Sequence, residues 1–77
     1  MKERKIKAEK MVSNLMNEFK RIRKEKKLSS EKLANMAGLH RTTIGLLENE
    51  KRIPTILTCL KISLALDVAL SDLIKVN

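Results

Sequence analysis

The chain has 77 residues, with 17 Lys and Arg against 9 Asp and Glu, which gives a formal net charge of +8. Its length predicts one small domain. Its single aromatic residue, Phe19, leaves the core to aliphatic side chains, which suits close-packed short helices better than a sheet. One cysteine, Cys59, excludes an internal disulfide, and His40 is the only histidine, so no Cys and His metal site is expected. We expect Cys59 to be a buried thiol and the protein to need no metal and no cofactor.

The positive charge is concentrated in the first third of the chain. Residues 1–27 hold 11 basic and 4 acidic residues, whereas residues 28–77 hold 6 and 5. This asymmetry indicates a polyanionic partner, either nucleic acid or a membrane surface. Lys61 and Asp67 interrupt the apolar C-terminal half, so no stretch of about 20 residues is apolar enough to span a bilayer. We expect a cytoplasmic protein.

The first predicted helix runs from Val12 or Ser13 to Lys26. Before it, residues 1–11 form either a basic N-terminal arm or an extension of helix 1, and residues 12–77 are expected to form the domain. Apolar residues recur at intervals of three and four, which is typical of an amphipathic helix. They are Val12, Leu15, Met16, Phe19 and Ile22.

A second helix is predicted between Ser29 and Gly38. The Ser29 hydroxyl is a suitable N-cap because it can accept a hydrogen bond from a backbone amide of the first turn. Gly38 ends the helix, because glycine adopts the left-handed conformation of a helix C-terminus without a steric cost.

Helix 3 is predicted to begin at about His40 or Arg41 and to end at about Asn49. With Ile44 at the centre of the buried face, Leu47 lies close to it. The opposite face is small and polar and carries no acid, which is expected of a surface that approaches phosphates. Its residues are Thr42, Gly45, Leu46 and Asn49.

Helices 4 and 5 complete the predicted fold. Helix 4 covers about Thr55 to Leu66, with Pro54 suited to its first turn. Helix 5 starts near Ser71, as N-cap, and continues through Val76. An apolar stripe on these helices is larger than a soluble monomer usually exposes, and we expect it to form a dimer interface. Its residues are Leu57, Leu60, Leu64, Ile74 and Val76. The alternative is that helix 5 and the N-terminal arm cover the stripe within one chain.

Two helices joined by a tight turn with a glycine are typical of the helix-turn-helix. The segments RIRKEKKLSSEKLANMAGLHRTTIGLLENEKRIPT (21–55) and CLKISLALDVALSDL (59–73) contain, in order, Arg-Ile-Arg, Leu-Ser, Leu-Ala, Gly-Leu, Thr-x-Ile, Leu-Glu-Asn, Arg-x-Pro-Thr and Ala-Leu. This series resembles the Cro/CI (Xre-type) repressor family. The resemblance implies an all-α, five-helix, lambda-repressor-like domain that binds an inverted-repeat operator as a homodimer, with helix 3 in the major groove. GLHRTTI is also similar to controller proteins of restriction–modification systems, while phage-type repressors and antitoxins share the same domain.

Four residues of helix 3 are predicted to contact bases. Arg41 lies near the start of the helix, where a bidentate pair with guanine would discriminate by about 1–3 kcal/mol. Thr42 lies at the centre of the outward face, where its hydroxyl or methyl group can meet a base. The predicted base-contacting residues are Arg41, Thr42, Gly45 and Leu46.

A second group of residues flanks the reading helix and is predicted to contact phosphates. Its members are Ser29, Ser30, His40, Thr43, Asn49, Lys51 and Arg52. For Ser29 a pure capping role is an equal alternative, and for His40 a structural role at the helix start. The resemblance implies that Arg23 and Glu48 form a structural salt bridge between helices 1 and 3.

The sequence departs from the family pattern at three positions. Ser30 stands where the family has Gln and cannot support a base-reading side chain. Gly45 replaces a serine, which removes a contact and lowers helix propensity by about 1 kcal/mol. Glu50 replaces a glycine, so we expect Asn49 to make the left-handed turn.

The leading hypothesis is a transcriptional regulator that binds double-stranded DNA and excludes or contacts RNA polymerase. The first alternative is an antitoxin-type interaction module that captures a protein with the apolar surface of helices 4 and 5. The second is a membrane-surface protein, which is disfavoured because acids are mixed into the basic segment and its apolar stripe is needed for the core. We expect no enzymatic activity, because no nucleophile–base pair or pair of carboxylates stands out.

Overall fold

The computed structural model describes residues 2–75, and all regular secondary structure within this range is α-helical. This confirms the predicted all-α class and the five helices. The helices are α1 (Lys2–Glu25), α2 (Ser30–Met36), α3 (Thr43–Glu48), α4 (Ile56–Leu66) and α5 (Leu70–Leu73).

Helix α1 is much longer than the apolar stripe predicts. It begins at Lys2, so of the two alternatives left open for the N-terminal segment, residues 2–11 form the extension of the helix. Residues 2–10 are all exposed, so helix propensity, carried by Lys, Arg, Glu and Ala, accounts for this extension. The helix ends at Glu25, one residue before the predicted end, and Lys27 adopts a left-handed φ of 58°.

Helix α2 has the predicted boundaries and caps. The Ser29 Oγ accepts a hydrogen bond from the Lys32 amide at 3.0 Å. At the other end Gly38 has a φ of 68°, which lets the Leu39 amide donate to the Ala34 carbonyl at 2.8 Å. Glycine is therefore used here for its backbone conformation.

Helix α3 is shorter than predicted. Its start is at Thr43, because the preceding residues form a turn closed by the Thr43 amide and the His40 carbonyl at 3.0 Å. The helix ends at Glu48, and the left-handed residue of the following turn is Glu50, with a φ of 57°. Asn49 keeps a φ of −93°, so the prediction that it makes the left-handed turn is wrong.

Helix α4 is capped by Thr55, whose side chain accepts from the Thr58 amide at 3.1 Å, and it is ended by Asp67 with a φ of 57°. Pro54 precedes this cap and therefore lies outside the first turn, contrary to the prediction. The last helix begins after Ala69, so Ser71 is not its N-cap.

Helix α5 is only one turn long. Ile74 follows its end in an extended conformation, so the prediction that the helix continues through this residue is wrong. Val76, the predicted end of this helix, lies outside the described residues.

The core lies between α1, α2, α3 and α4 and is closed by α5. It contains the predicted stripe of α1 except Val12, which is half-buried. Cys59 is buried as predicted, and its burial raises the pKa of the thiol above the ordinary value. The buried residues are Leu15, Met16, Phe19, Ile22, Leu33, Ala34, Ile44, Leu47, Cys59, Ile62, Leu66 and Leu73.

Among residues 2–75, none of the helices combines the length and the apolar character that crossing a membrane requires.

Candidate nucleic-acid interface

Helix α3 is fixed by its inward face. Ile44 and Leu47 are each 2% exposed, and they join Leu33 and Ala34 of α2 in the core. Burial of two branched aliphatic side chains on a six-residue helix leaves α3 one stable orientation, since any rotation would expose them. The opposite side of α3 and the turn before it are therefore presented to the solvent.

The turn before α3 presents Arg41 and orders its neighbours. The His40 Nδ1 accepts from the Thr42 amide at 3.2 Å and lies 2.8 Å from the Thr42 hydroxyl. With Nδ1 used as an acceptor, the neutral ring carries its proton on Nε2, which is free to donate from this exposed residue. Arg41, between the two, is exposed and makes no ion pair among the described residues.

The outward face of α3 is only partly as predicted. Gly45 and Leu46 are half-buried, and Asn49 is exposed. Thr43, predicted to reach a phosphate from a flank, is 7% exposed. It stands four residues before Leu47, and this spacing places both on the buried face of the helix, so the predicted flank position of Thr43 is wrong.

The flanking segments bring further donors to the same region. Ser29 is exposed while its hydroxyl caps α2, so both roles considered for it remain compatible with its position. Ser30 is half-buried, whereas Lys51 and Arg52 are exposed in the loop that follows α3.

Glu50 is tied to α1. Its carboxylate accepts a hydrogen bond from the Ser13 hydroxyl, thirty-seven residues earlier in the chain. The acid is therefore engaged by α1, and the loop that carries Lys51 and Arg52 is held against this helix. The sequence offers no signal for this contact, because the two residues are far apart in the chain and no local pattern links them.

Arg23 and Glu48 join α1 to the end of α3. The Arg23 Nε donates to the Glu48 Oε2 at 2.7 Å and its Nη2 donates to Oε1 at 2.9 Å, a bidentate pair. The Arg23 Nη1 also donates to the Leu28 carbonyl at 2.7 Å. The hydrogen bond with Glu48 raises the pKa of Arg23 above its already high ordinary value, so this guanidinium keeps its charge. The Arg23 side chain thus fixes the positions of α3 and of the α1–α2 turn relative to α1.

The arrangement offers hydrogen-bond donors, two flanking cations and a face of α3 without acids, but no cluster for metal chemistry. Within residues 2–75, no three His, Cys, Asp or Glu side chains come together in a way that could hold a metal ion. The geometry suits an extended anionic surface.

Comparison with known proteins agrees with this geometry. A family model described as Helix-turn-helix matches residues 19–73, more than half of the chain, which includes all of α2 to α5. No curated protein and no solved structure matches the chain. The all-helical fold and this match define a small helix-turn-helix DNA-binding domain of a regulator. The chain belongs to the Cro/CI (Xre-type) helix-turn-helix family.

Proposed function

We propose that the protein is a transcriptional regulator that binds an inverted-repeat operator as a homodimer, with α3 in the major groove, and acts by excluding or contacting RNA polymerase. The observation that carries this proposal is the division of the α3 region. Ile44 and Leu47 are buried, whereas Arg41 and Thr42 are exposed. Such a division is what a recognition helix needs.

Arg41 is the principal base-reading residue in this proposal. It lies at the leading end of α3, where side chains of recognition helices reach base edges, and it is not held by another residue of the described chain. A bidentate bond to guanine would account for discrimination by about 1–3 kcal/mol. Thr42, Gly45 and Leu46 complete the contact surface, with the Thr42 and Leu46 methyl groups suited to thymine methyls.

Selection of bound sites from random duplex DNA tests this role. We expect the wild type to select a short inverted repeat and Arg41→Ala to lose preference at one G·C position in each half. Arg21→Ala is the matched control, because Arg21 is also exposed but is paired with Glu18 and Glu25 on α1. Equal preferences in all three proteins would refute base reading by Arg41.

Phosphate contacts are assigned to residues around α3. Lys51 and Arg52 supply charge, and neutral donors include the His40 Nε2 and the Asn49 amide. Each phosphate neutralised by a cation steepens the fall of log K with log salt by about 0.9. The proposed contacts are Ser29, Ser30, His40, Asn49, Lys51 and Arg52; Thr43 is omitted because it is buried.

The dimer interface is assigned to the apolar surface of α4. Leu57 and Leu60 are exposed, and Leu64 is 80% exposed. Ile74 is exposed as well, and Ile56, which the sequence analysis did not include, extends the surface at the start of the helix. Val76 lies outside the described residues. Apolar exposure on this scale favours association with a second copy.

Sedimentation analysis of wild type and Leu64→Lys tests this interface. Because Leu64 is highly exposed, lysine there leaves the core intact, so we expect a folded monomer in place of a dimer. Operator affinity is then expected to fall by at least about 100-fold through the loss of bivalent binding. A wild type that is monomeric when bound to its operator would contradict the dimer. A stoichiometric complex with the product of a neighbouring gene would favour the interaction-module alternative.

A further inference from the structure

The N-terminal turns of α1 form a basic surface that the rest of the fold does not use. Residues 2–10 are exposed without exception, and they carry five basic and two acidic side chains. None of the five cations takes part in an ion pair within the described chain. Packing therefore does not explain why this segment is helical and basic.

This extension starts beside the loop after α3. The Ser13 hydroxyl bonds the Glu50 carboxylate, and an open groove of about 320 Å³ lies between the two segments. Val12 and Met16 line the groove from α1, while Arg52 and Ile53 line it from the loop. Helix α1 thus leaves the globular part next to the proposed phosphate-binding cations.

The helical repeat separates the cations of the extension into two sides. Lys2 and Lys5 continue, at intervals of three and four, the row of Glu9, Val12 and Met16 that lines the groove. Both therefore lie on the side of the Lys51–Arg52 loop. By the same repeat, about 100° per residue, Lys7 and Lys10 lie on the other side of the helix.

We propose that Lys2 and Lys5, together with Lys51 and Arg52, form a second phosphate-binding surface that contacts the DNA backbone outside the half-site read by α3. This inference rests on the proposed function. The helix rises by about 16 Å over the twelve residues from Lys2 to Ser13, which is long enough to reach phosphates roughly five base pairs beyond the loop.

Charge complementarity supports the DNA backbone as the ligand of this second surface. Of the two acids on this side, Glu50 is engaged by Ser13, and Glu9 lies in the groove closer to the core than Lys5 and Lys2. Four cations thus face two acids, and one of these acids is already bonded. A surface of net positive charge that continues a phosphate-binding loop fits a polyanionic backbone.

The test compares Lys2→Gln/Lys5→Gln with Lys7→Gln/Lys10→Gln. Both double variants lose two charges from exposed sites of the same helical segment, and glutamine preserves helix propensity. Binding to the selected operator is measured over a range of salt concentrations, together with a hydroxyl-radical footprint. For the loop-facing pair we expect the slope of log K against log salt to become shallower by about 1.8, with loss of protection at the flanks. The opposite pair is expected to change the slope by less than half as much and to keep the footprint.

The outcomes separate this inference from the proposed function. If the wild type selects no sequence, the proposed function fails. If it selects an operator but the two double variants have equal slopes and footprints, only the second surface is refuted. Retained sequence preference in the loop-facing variant supports a backbone contact. Binding of the wild type to anionic phospholipid vesicles, lost in this variant while operator binding is unchanged, would assign the surface to membranes and overturn the inference.

Discussion

At the scale of single residues, Arg23 contributes more to the stability of the fold than its position near the surface suggests. Its guanidinium binds both oxygens of Glu48 and the Leu28 carbonyl, and the two side chains are only 12% and 9% exposed. Removing one partner leaves a partly desolvated charge unpaired, and this penalty exceeds the net gain from the pair itself.

We therefore predict that Arg23→Met and Glu48→Gln each lower the free energy of unfolding by about 2 kcal/mol, less than for a fully enclosed pair because solvent still reaches the edge of the site. Denaturant unfolding measures this change. Arg21→Met is the control, since its ion pairs with Glu18 and Glu25 are exposed and contribute little. An equal midpoint shift in this control would contradict a special role for Arg23.

At the scale of helices, the two glycines serve different purposes. Gly38 has a φ of 68° and ends α2, whereas Gly45 lies inside α3, and an added Cβ would meet no atom within 4 Å at either position. Any cost of a side chain at Gly38 is thus conformational, and at Gly45 a side chain meets no obstacle within the free protein.

We predict opposite effects of alanine at these two positions. Gly38→Ala is expected to destabilise the protein by about 1 kcal/mol through the left-handed backbone, and Gly45→Ala to stabilise it by about 1 kcal/mol through helix propensity. Because Gly45 belongs to the proposed contact surface, where a missing side chain lets the DNA approach closely, we expect the more stable Gly45→Ala protein to bind its operator more weakly. Thermal unfolding and operator titration together check this; tighter binding by Gly45→Ala would contradict the close approach.

Local signals in the sequence predicted some helix ends well and others badly. Ser29 and Gly38 act as predicted because a cap needs only its own hydroxyl or backbone conformation. The sequence left open whether residues 2–10 are helical, because they contact no core and show no apolar period. Glu50 was missed because its left-handed backbone is accompanied by a contact with Ser13, which no local pattern reveals.

The candidate interface was predictable in part, because a local helical period indicates which face of a helix is buried. The period of Ile44 and Leu47 identified the buried face of α3, which gave the exposure of Arg41 and Thr42. The prediction for Thr43 overlooked its spacing of four residues from Leu47, which places it on the same buried face.

At the scale of the whole molecule, the domain measures 38 × 23 × 19 Å. The exposed apolar residues of α4 belong to a different helix from the residues of α3 that are proposed to contact DNA. A two-fold dimer through α4 is expected to place the two reading helices about 34 Å apart, one turn of duplex DNA. The spacing of the operator halves is then a geometric property of the dimer.

We predict that inserting five base pairs between the operator halves, which turns one half by roughly half a turn, lowers affinity by at least about 100-fold. An insertion of ten base pairs restores the rotational phase and is the control for added length. Gel-shift titration of the three operators measures the effect. Equal affinity for all three would show that one subunit at a time binds the DNA.

Because the Cys59 sulfur is buried, its reaction with a thiol reagent measures how often the core of the protein opens. The chain has no tryptophan or tyrosine for optical work, but its only thiol is 5% exposed, so a thiol reagent can react only when the core opens. The labelling rate therefore counts opening events. A ligand that binds only the closed form slows these events by the factor 1 + [L]/Kd. The rate of modification of one atom thus reports both how stable the domain is and how fully its DNA site is occupied.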